Sequence, residues 1–595
     1  MSVSRRFIRA AGALAGLAFA ACSDTTVLPP PPPGFAFSPE IAEIGSFHDV
    51  WIEAPDDIWA VGGSGLILHY DGTLWSRVES GATAEINSVW GDGNGAVFAV
   101  GGDGLILRFD GTSWLPMTSP TIEGLNAIWG TSATDIFAAG NRGTIVHFNG
   151  SSWSPQQTNG ATATLRGIWA ASPAVAFAVG SGGTILSLSA GAWSTLAPVT
   201  TESLRGVFGF SDTDVFVAGN NGVIFHYDGN SWTPQASGVT RWLQGMWGTS
   251  SSDLFACGEG GTMLHYDGAG WTRFTSNIFT TQFFEGLGGT ASDNVVAVGT
   301  LGTVIRYDGA QWKKEMSDVG AIVRRGLWGT SNDDLYLVGT YGEVFRRNGG
   351  GWTFQAGGRP QSLNDVWGAG GNVFAVGDGG LAMQWDGTGW SVTNTGTAEG
   401  LNGVWAASPG DVFAAGTGGT ILYYDGASWG PMTSGSTRVL HDIWGVTASN
   451  VIAVGNDGLV LRYDGSSWSE EALLDAVALR GVWGTSASNI VAVGTGAAGQ
   501  GNAFRFDGTS WKKENIGTTA ALEAVHGVSA DNLFAVGIGG GGIGTFRDSF
   551  FHFDGSDWRR SSTQSFVHFS GVWATSASSV YVSGTGTVLY RGTLK

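Results

Sequence analysis

Residues 125–153 read Leu-Asn-Ala-Ile-Trp-Gly-Thr-Ser-Ala-Thr-Asp-Ile-Phe-Ala-Ala-Gly-Asn-Arg-Gly-Thr-Ile-Val-His-Phe-Asn-Gly-Ser-Ser-Trp. Three short apolar runs stand out, starting at Leu125, Asp135 and Thr144, and Ser152-Trp153 opens a fourth. Each run is too short for a globular helix, is rich in Ile, Val, Phe and Trp, and is bounded by Gly, Asn, Ser or Asp, which predicts four strands. Ile136-Phe137-Ala138-Ala139 is apolar on both alternating faces, so the predicted sheet must be covered on both sides. Asn149-Gly150 is Asp-Gly in other copies (Asp71-Gly72, Asp110-Gly111, Asp228-Gly229), a pair whose positive φ values predict a two-residue hairpin. Gly62-Gly63-Ser64-Gly65 and its counterparts predict a second, slightly longer hairpin. Three tight connections in one unit make an antiparallel meander.

The unit recurs fourteen times from residue 47, about every 39 residues. Its first aromatic position reads Trp51, Trp90, Trp129, Trp169, Phe208, Trp247, Gly288, Trp328, Trp367, Trp405, Trp444, Trp483, His526 and Trp573. A second register runs from Trp75, Trp114 and Trp153 to Trp558, so most of the 27 tryptophans belong to the repeat. Many four-stranded units that must each be covered on both faces are expected to form a β-propeller. A parallel β-helix lacks such hairpins, and a sandwich does not need fourteen copies. Because rings usually hold four to eight blades, the expected division is two seven-bladed propellers, residues 47–322 and 323–595, with an uneven split or one large ring as alternatives. Gly288 makes unit seven irregular, and units twelve and thirteen carry insertions. Unit fourteen ends without a Ser-Trp strand, and Phe35-Ala36-Phe37 is a candidate to complete it.

Composition narrows the function. The 595 residues carry 29 Lys and Arg against 49 Asp and Glu, a net charge of −20, which opposes binding to nucleic acid phosphates. Arg5, Arg6 and Arg9 precede a short apolar stretch ending at Ala21, so residues 1–21 read as an export signal peptide that is too short to span a bilayer. The Ser4-Arg5-Arg6-Phe7 run leaves the general and twin-arginine routes both open. Phe19-Ala20-Ala21-Cys22 resembles a bacterial lipobox, which implies lipidation of Cys22 and an envelope location facing the periplasm or exterior. Residues 22–46 then read as a tether stiffened by Pro29–Pro33, and the lipid would be the only membrane contact. Cys257, in an apolar strand, reads as a small buried hydrophobe.

No catalytic constellation is found, and no cofactor or metal is expected. His-Glu-x-x-His, the phosphate-binding loop and a supported nucleophile elbow are all absent from the sequence. His69, His147, His226, His265 and His552 share one register, one per blade, too dispersed to ligate one metal jointly and expected to pack on aromatic rings. The recurrent Asp at the start of the second strand (Asp57, Asp135, Asp214, Asp253, Asp334, Asp411) is expected to form a local turn with backbone. The position after the first-strand Leu is always polar: His48, Asn87, Asn126, Arg166, Arg205, Gln244 and Glu285, then Arg325, Asn364, Asn402, His441, Arg480, Glu523 and Ser570. If that strand is innermost, these side chains form one polar ring per propeller, as channel solvation or as a ligand site. The tryptophans also suit stacking on sugars, with multivalency from the repeat, but their fixed register favours packing between blades.

The Leu165-x-Gly167 start, the core from Ala178 to Leu186, and the Asp228-Gly229 then Trp232 close resemble the BNR-like propeller repeats of the plant and cyanobacterial photosystem II assembly-factor family, across essentially residues 47–595. That resemblance implies a non-enzymatic propeller that helps assemble membrane complexes. The full Asp-box is not met, which separates the chain from sialidases. The expected function is therefore a noncatalytic, exported scaffold with a protein partner. A multivalent glycan-binding propeller and a sialidase-like glycoside hydrolase are the alternatives.

Overall fold

The structure, a computed structural model, describes residues 35–41, 44–275, 282–316, 323–349, 351–472, 476–518, 520–538, 550–560, 568–584 and 588–594. The leader, Cys22 and the proline run lie outside these residues. The fold is all-β, with fourteen four-stranded antiparallel blades arranged in chain order. In the third blade the strands are Leu125–Ser132, Asp135–Gly140, Ile145–Phe148 and Trp153–Pro155, as its sequence predicts. The second strand is wholly buried there, consistent with coverage on both faces.

The innermost strands pack in two closed cycles of seven. Phe47–Ala54 of blade 1 contacts its counterpart in blade 2 and also Phe284–Ala291 of blade 7. Arg324–Ser331 of blade 8 likewise contacts blade 9 and Phe569–Ser576 of blade 14. The chain is thus two seven-bladed rings.

The repeat Trp-Gly dipeptide has a packing cause. A Cβ on Gly130 of blade 3 would lie 2.6 Å from the indole of Trp90 in blade 2, and one on Gly368 would lie 2.3 Å from Trp328. In eight blades the tryptophan occupies the volume that glycine vacates in the next blade, while Ala170, Ala406 and Ala574 take the glycine's place in blades 4, 10 and 14. Blade 7 has Gly288 instead of tryptophan, and a Cβ there would meet blade 1 at the Val50 carbonyl oxygen (3.1 Å), Ile52 Cγ1 (3.6 Å) and Val50 Cγ1 (3.7 Å). Large and small residues have exchanged places at the seam of the first ring. Blade 13 shows a smaller version, where His526 replaces tryptophan and Ala574 replaces glycine. In the next layer out, Phe137, Phe177 and Phe255 each meet the second-register tryptophan of the following blade edge-on, at 6.1–6.5 Å.

Residues 35–41 form a strand antiparallel to Val588–Leu594, from Phe35 opposite Leu594 to Ile41 opposite Val588. They complete blade 14 as its outer strand, so part of the segment read as tether belongs to the second ring. The rings also join edge to edge. Trp75 and Ser76, in the outer strand of blade 1, pair with Gly357 and Ala356 of blade 8 to make one eight-stranded sheet. Arg359 adds a hydrogen bond to the Thr73 carbonyl at 2.8 Å, and one apolar cluster runs from Phe47 and Trp75 to Leu335, Phe345 and Tyr581.

The hairpin between third and fourth strands differs from expectation. Tyr70 pairs with Trp75, so the connection has four residues, Asp71 to Leu74, rather than two. Gly72 has φ +84° while Asp71 stays at negative φ. The aspartate acts through its side chain: Oδ1 accepts the backbone N–H of Thr73 at 2.8 Å and of Leu74 at 2.9 Å. This Asx geometry replaces the backbone twist expected of a primed turn.

Candidate functional site

Because the first strand of each blade is innermost, the position after its Leu reaches the axis, and the polar residues read from the sequence do gather around two axial cavities. The first ring encloses about 250 Å³, with His48, Asn87, Asn126, Arg166, Arg205, Gln244 and Glu285 at its polar level. The second encloses about 410 Å³, with Arg325, Asn364, Asn402, His441, Arg480, Glu523 and Ser570. Aromatic contacts join non-adjacent blades at the same cavities: Trp129 of blade 3 meets Phe208 of blade 5 at 5.8 Å, and Trp367 of blade 9 meets Trp573 of blade 14 at 5.6 Å. Each cavity therefore has a polar rim and an aromatic floor.

Much of the rim holds blades together. Asn87, Asn126, Asn364 and Asn402 each donate Nδ2 to the Leu carbonyl of the next blade, Leu125, Leu165, Leu401 and Leu440 respectively, at 2.7–2.9 Å. An innermost strand has an unpaired edge facing the axis, and these amides cap its carbonyls. His48 Nδ1 bonds Glu285 at 2.8 Å across the seam of blades 1 and 7. That bond raises the imidazole pKa above its ordinary value, against the effect of burial. In the second ring Arg325 donates to Asn364, Arg480 faces Glu523 at 3.4 Å, and His441 bonds Asn456 at 2.8 Å.

Two arginines of the first ring are different. Arg205 donates to Asn220 at 2.7 Å and to Gln244 at 3.0 Å, and its guanidinium lies 4.3 Å from the centre of the Trp242 ring. Arg166 has no hydrogen-bond acceptor among the described residues, and its Nε is buried. Burial, followed by repulsion from Arg166, lowers the pKa of Arg205.

Sequence reading passed over the next position along the strand. It is glycine in most blades but Asp49, Asp365 and Asp442 in three, and these cap the inward-facing N–H groups. Asp49 accepts from Val50 and from Ser88 and Val89 of blade 2. Asp365 accepts from Val404 of blade 10 at 2.9 Å. Asp442 accepts from Ile443 and from Val482 of blade 12, both at 2.8 Å. Burial pushes the Asp49 carboxyl up to about 6. It raises Asp365 and Asp442 too, and the charge of Asp365 raises Asp442 further. The signal was present in the sequence as three acidic departures from Leu-x-Gly, beside Ser88, Ala127 and Ala524.

The histidine and aspartate registers, read separately from the sequence, meet in the fold. His69, His147, His226 and His265 bond Asp57, Asp135, Asp214 and Asp253 at 2.6–2.8 Å. The imidazoles also lie against Trp59, Phe137, Phe216 and Phe255, at 4.1–4.6 Å between ring centres. The recurrent aspartate thus pairs across strands instead of making the local backbone turn expected, because strand pairing sets its side chain beside the third-strand side chain. Arg346 and Tyr423 take the histidine's place opposite Asp334 and Asp411. Among the described residues, no group of three or more His, Cys, Asp or Glu is placed to hold a metal ion. Cys257 is fully buried, and burial pushes its thiol up to about 12.

Fold and site define a double β-propeller with a polar-rimmed cavity on each axis. No known family pattern matches the chain. No curated protein matches it either. Solved structures similar to it include YCF48 bound to D1 peptide (20% identity, TM-score 0.39) and the WD40 β-propeller domain of Doa1 (13%, 0.39), each spanning 46% of this chain and 96% of its own. An extracellular domain from B. thetaiotaomicron is 12% identical with a TM-score of 0.37, spanning 94% of this chain and 82% of its own.

Proposed function

We propose that the protein is a noncatalytic scaffold that captures a protein partner on the rim of its first ring. Arg166 carries this reading: a guanidinium beside Arg205, at the mouth of a cavity, without an acceptor among the described residues. An arginine left without an acceptor there favours a partner's carboxylate, since a charge-assisted, bidentate hydrogen bond is among the strongest available. Arg205, already braced by Asn220, Gln244 and Trp242, is held in place to share such a group.

In this reading residues 1–21 are removed, Cys22 is acylated, and the lipid holds the double ring at the cell envelope. The chain from Cys22 to Phe35 then leads directly to blade 14. Replacing Cys22 with Ser should move the protein from the membrane to the soluble fraction; unchanged membrane fractionation would dismiss the anchor. The partner site is tested by capture from envelope extracts with wild type and with Arg166→Ala/Arg205→Ala. A protein retained by the first and lost by the second, at equal melting temperature, supports the site. Identical captured sets would remove it.

A further inference from the structure

The second ring's cavity differs from the first in size, in its acid groups and in one histidine. About 410 Å³ lies within the ~300–1,000 Å³ of small-molecule pockets, and about 250 Å³ lies below it. The cavity is lined by Arg325 and Arg480, by Asp365 and Asp442 one position further along their strands, and by the floor residues Trp367, Trp444, Trp483 and Trp573. Asp365 and Asp442 are surrounded by protein, yet each presents part of its surface to the cavity. The strand between them is blade 10's, and a Cβ on its Gly403 would lie 3.1 Å from Asp442 Oδ1.

His526 supplies the independent observation. It stands where other blades carry the floor tryptophan, is 7% exposed, and lines the cavity against Trp573, with ring centres 3.8 Å apart. Its Nδ1 accepts the backbone N–H of Ala574 at 3.0 Å, so the ring proton sits on Nε2. Nε2 has no partner among the described residues. Burial pushes its pKa down to about 3, so the ring stays a neutral donor at ordinary pH.

We propose that this cavity binds a neutral polyhydroxylated ligand of monosaccharide size, its hydroxyls meeting Asp365, Asp442 and His526 Nε2–H and its C–H face resting on the tryptophan floor. The chemistry excludes simpler ligands. Burial holds the two carboxyls toward their neutral form and leaves His526 a neutral donor, so neither an organic cation nor an anion finds a full counter-charge among these three groups. A hydroxyl both donates and accepts, so a polyol satisfies the carboxyls and the donor without adding charge. Of the other groups on the wall, Arg480 lies 3.4 Å from Glu523 although its Nε makes no hydrogen bond among the described residues, Arg325 donates to Asn364, and His441 bonds Asn456.

The test is isothermal titration of the full-length protein with methyl glycosides of glucose, galactose, mannose, xylose and N-acetylglucosamine, with choline and acetate as opposing arms. At least one glycoside is expected to bind one-to-one, with choline and acetate silent. His526→Phe keeps a ring in place but removes the donor, and should weaken that binding tenfold or more. His526→Gln keeps a donor and should restore part of it. Saturation-transfer NMR on the wild type reads the same contact without any variant. Absence of binding by all five glycosides overturns the proposal. So does binding of choline or acetate alone, or glycoside binding unchanged in both variants.

Discussion

Exchanging the residues at the first ring's seam gives a direct test of ring closure. Ile52 is 5% exposed and, with Val50 of the same strand, packs from blade 1 against Gly288 of blade 7. Ile52→Gly alone removes a buried side chain with no indole to replace it, a loss of about 2–5 kcal/mol by analogy with large-to-small core changes. Gly288→Trp alone must place an indole where Ile52 already sits, and overpacking of this kind costs ~1–3 kcal/mol. The double variant recreates the Trp-over-Gly pair found between Trp90 and Gly130, so the two losses should largely cancel. A coupling of roughly 2 kcal/mol is within the range for contacting residues. At about 2–4 °C per kcal/mol for a body of this size, each single change should lower the apparent melting temperature by several degrees and the double should recover most of it. Calorimetry on the four proteins measures this. Additive losses would mean that blades 1 and 7 are not neighbours and would refute the seam.

Removing residues 35–41 takes away the outer strand of blade 14 and should lower the melting temperature by roughly 5 °C or more; an unchanged curve would show that the strand does not close the ring. Asp365 and Asp442 have folded-state pKa values raised by burial, so their contribution is full below the ordinary carboxylate range and is lost as pH rises through the folded values. From the ordinary carboxylate range up to about pH 7 the stability of the wild type relative to Asp442→Asn should therefore decline as pH rises; parallel curves would exclude the pair. His526 has the opposite sign, since its folded pKa is depressed from 6.5 to about 3. Stability should decline as pH drops below about 6.5, and His526→Phe should show a shallower acid limb in thermal melts. Asn126→Ala leaves the Leu165 carbonyl without its 2.8 Å donor and should cost about 1–3 kcal/mol, read as faster hydrogen exchange at the joint of blades 3 and 4.

Strand positions, blade number and the inward-facing polar register were legible in the sequence because they depend on local pattern: alternation, turn residues and a strict repeat. The seam was written there too, as Gly288 and Ile52, but it becomes readable only once the repeat tryptophan is known to lie over the next blade's glycine. Local pattern does not say which distant residues meet. The pairing of His147 with Asp135, twelve residues apart, follows from strand register, and the turn at Asp71 follows from a side chain that competes with backbone geometry. The caps on the axis needed the ring itself. Asn87 reaches Leu125, and Asp442 reaches Val482, across blades that only closure brings together. The sequence by itself determined fourteen blades and a polar position in each. Tertiary structure decided that most of those polar groups latch neighbouring blades, because an innermost strand has an edge that must be capped, and that Arg166 and the second ring's cavity are where unmet chemistry remains.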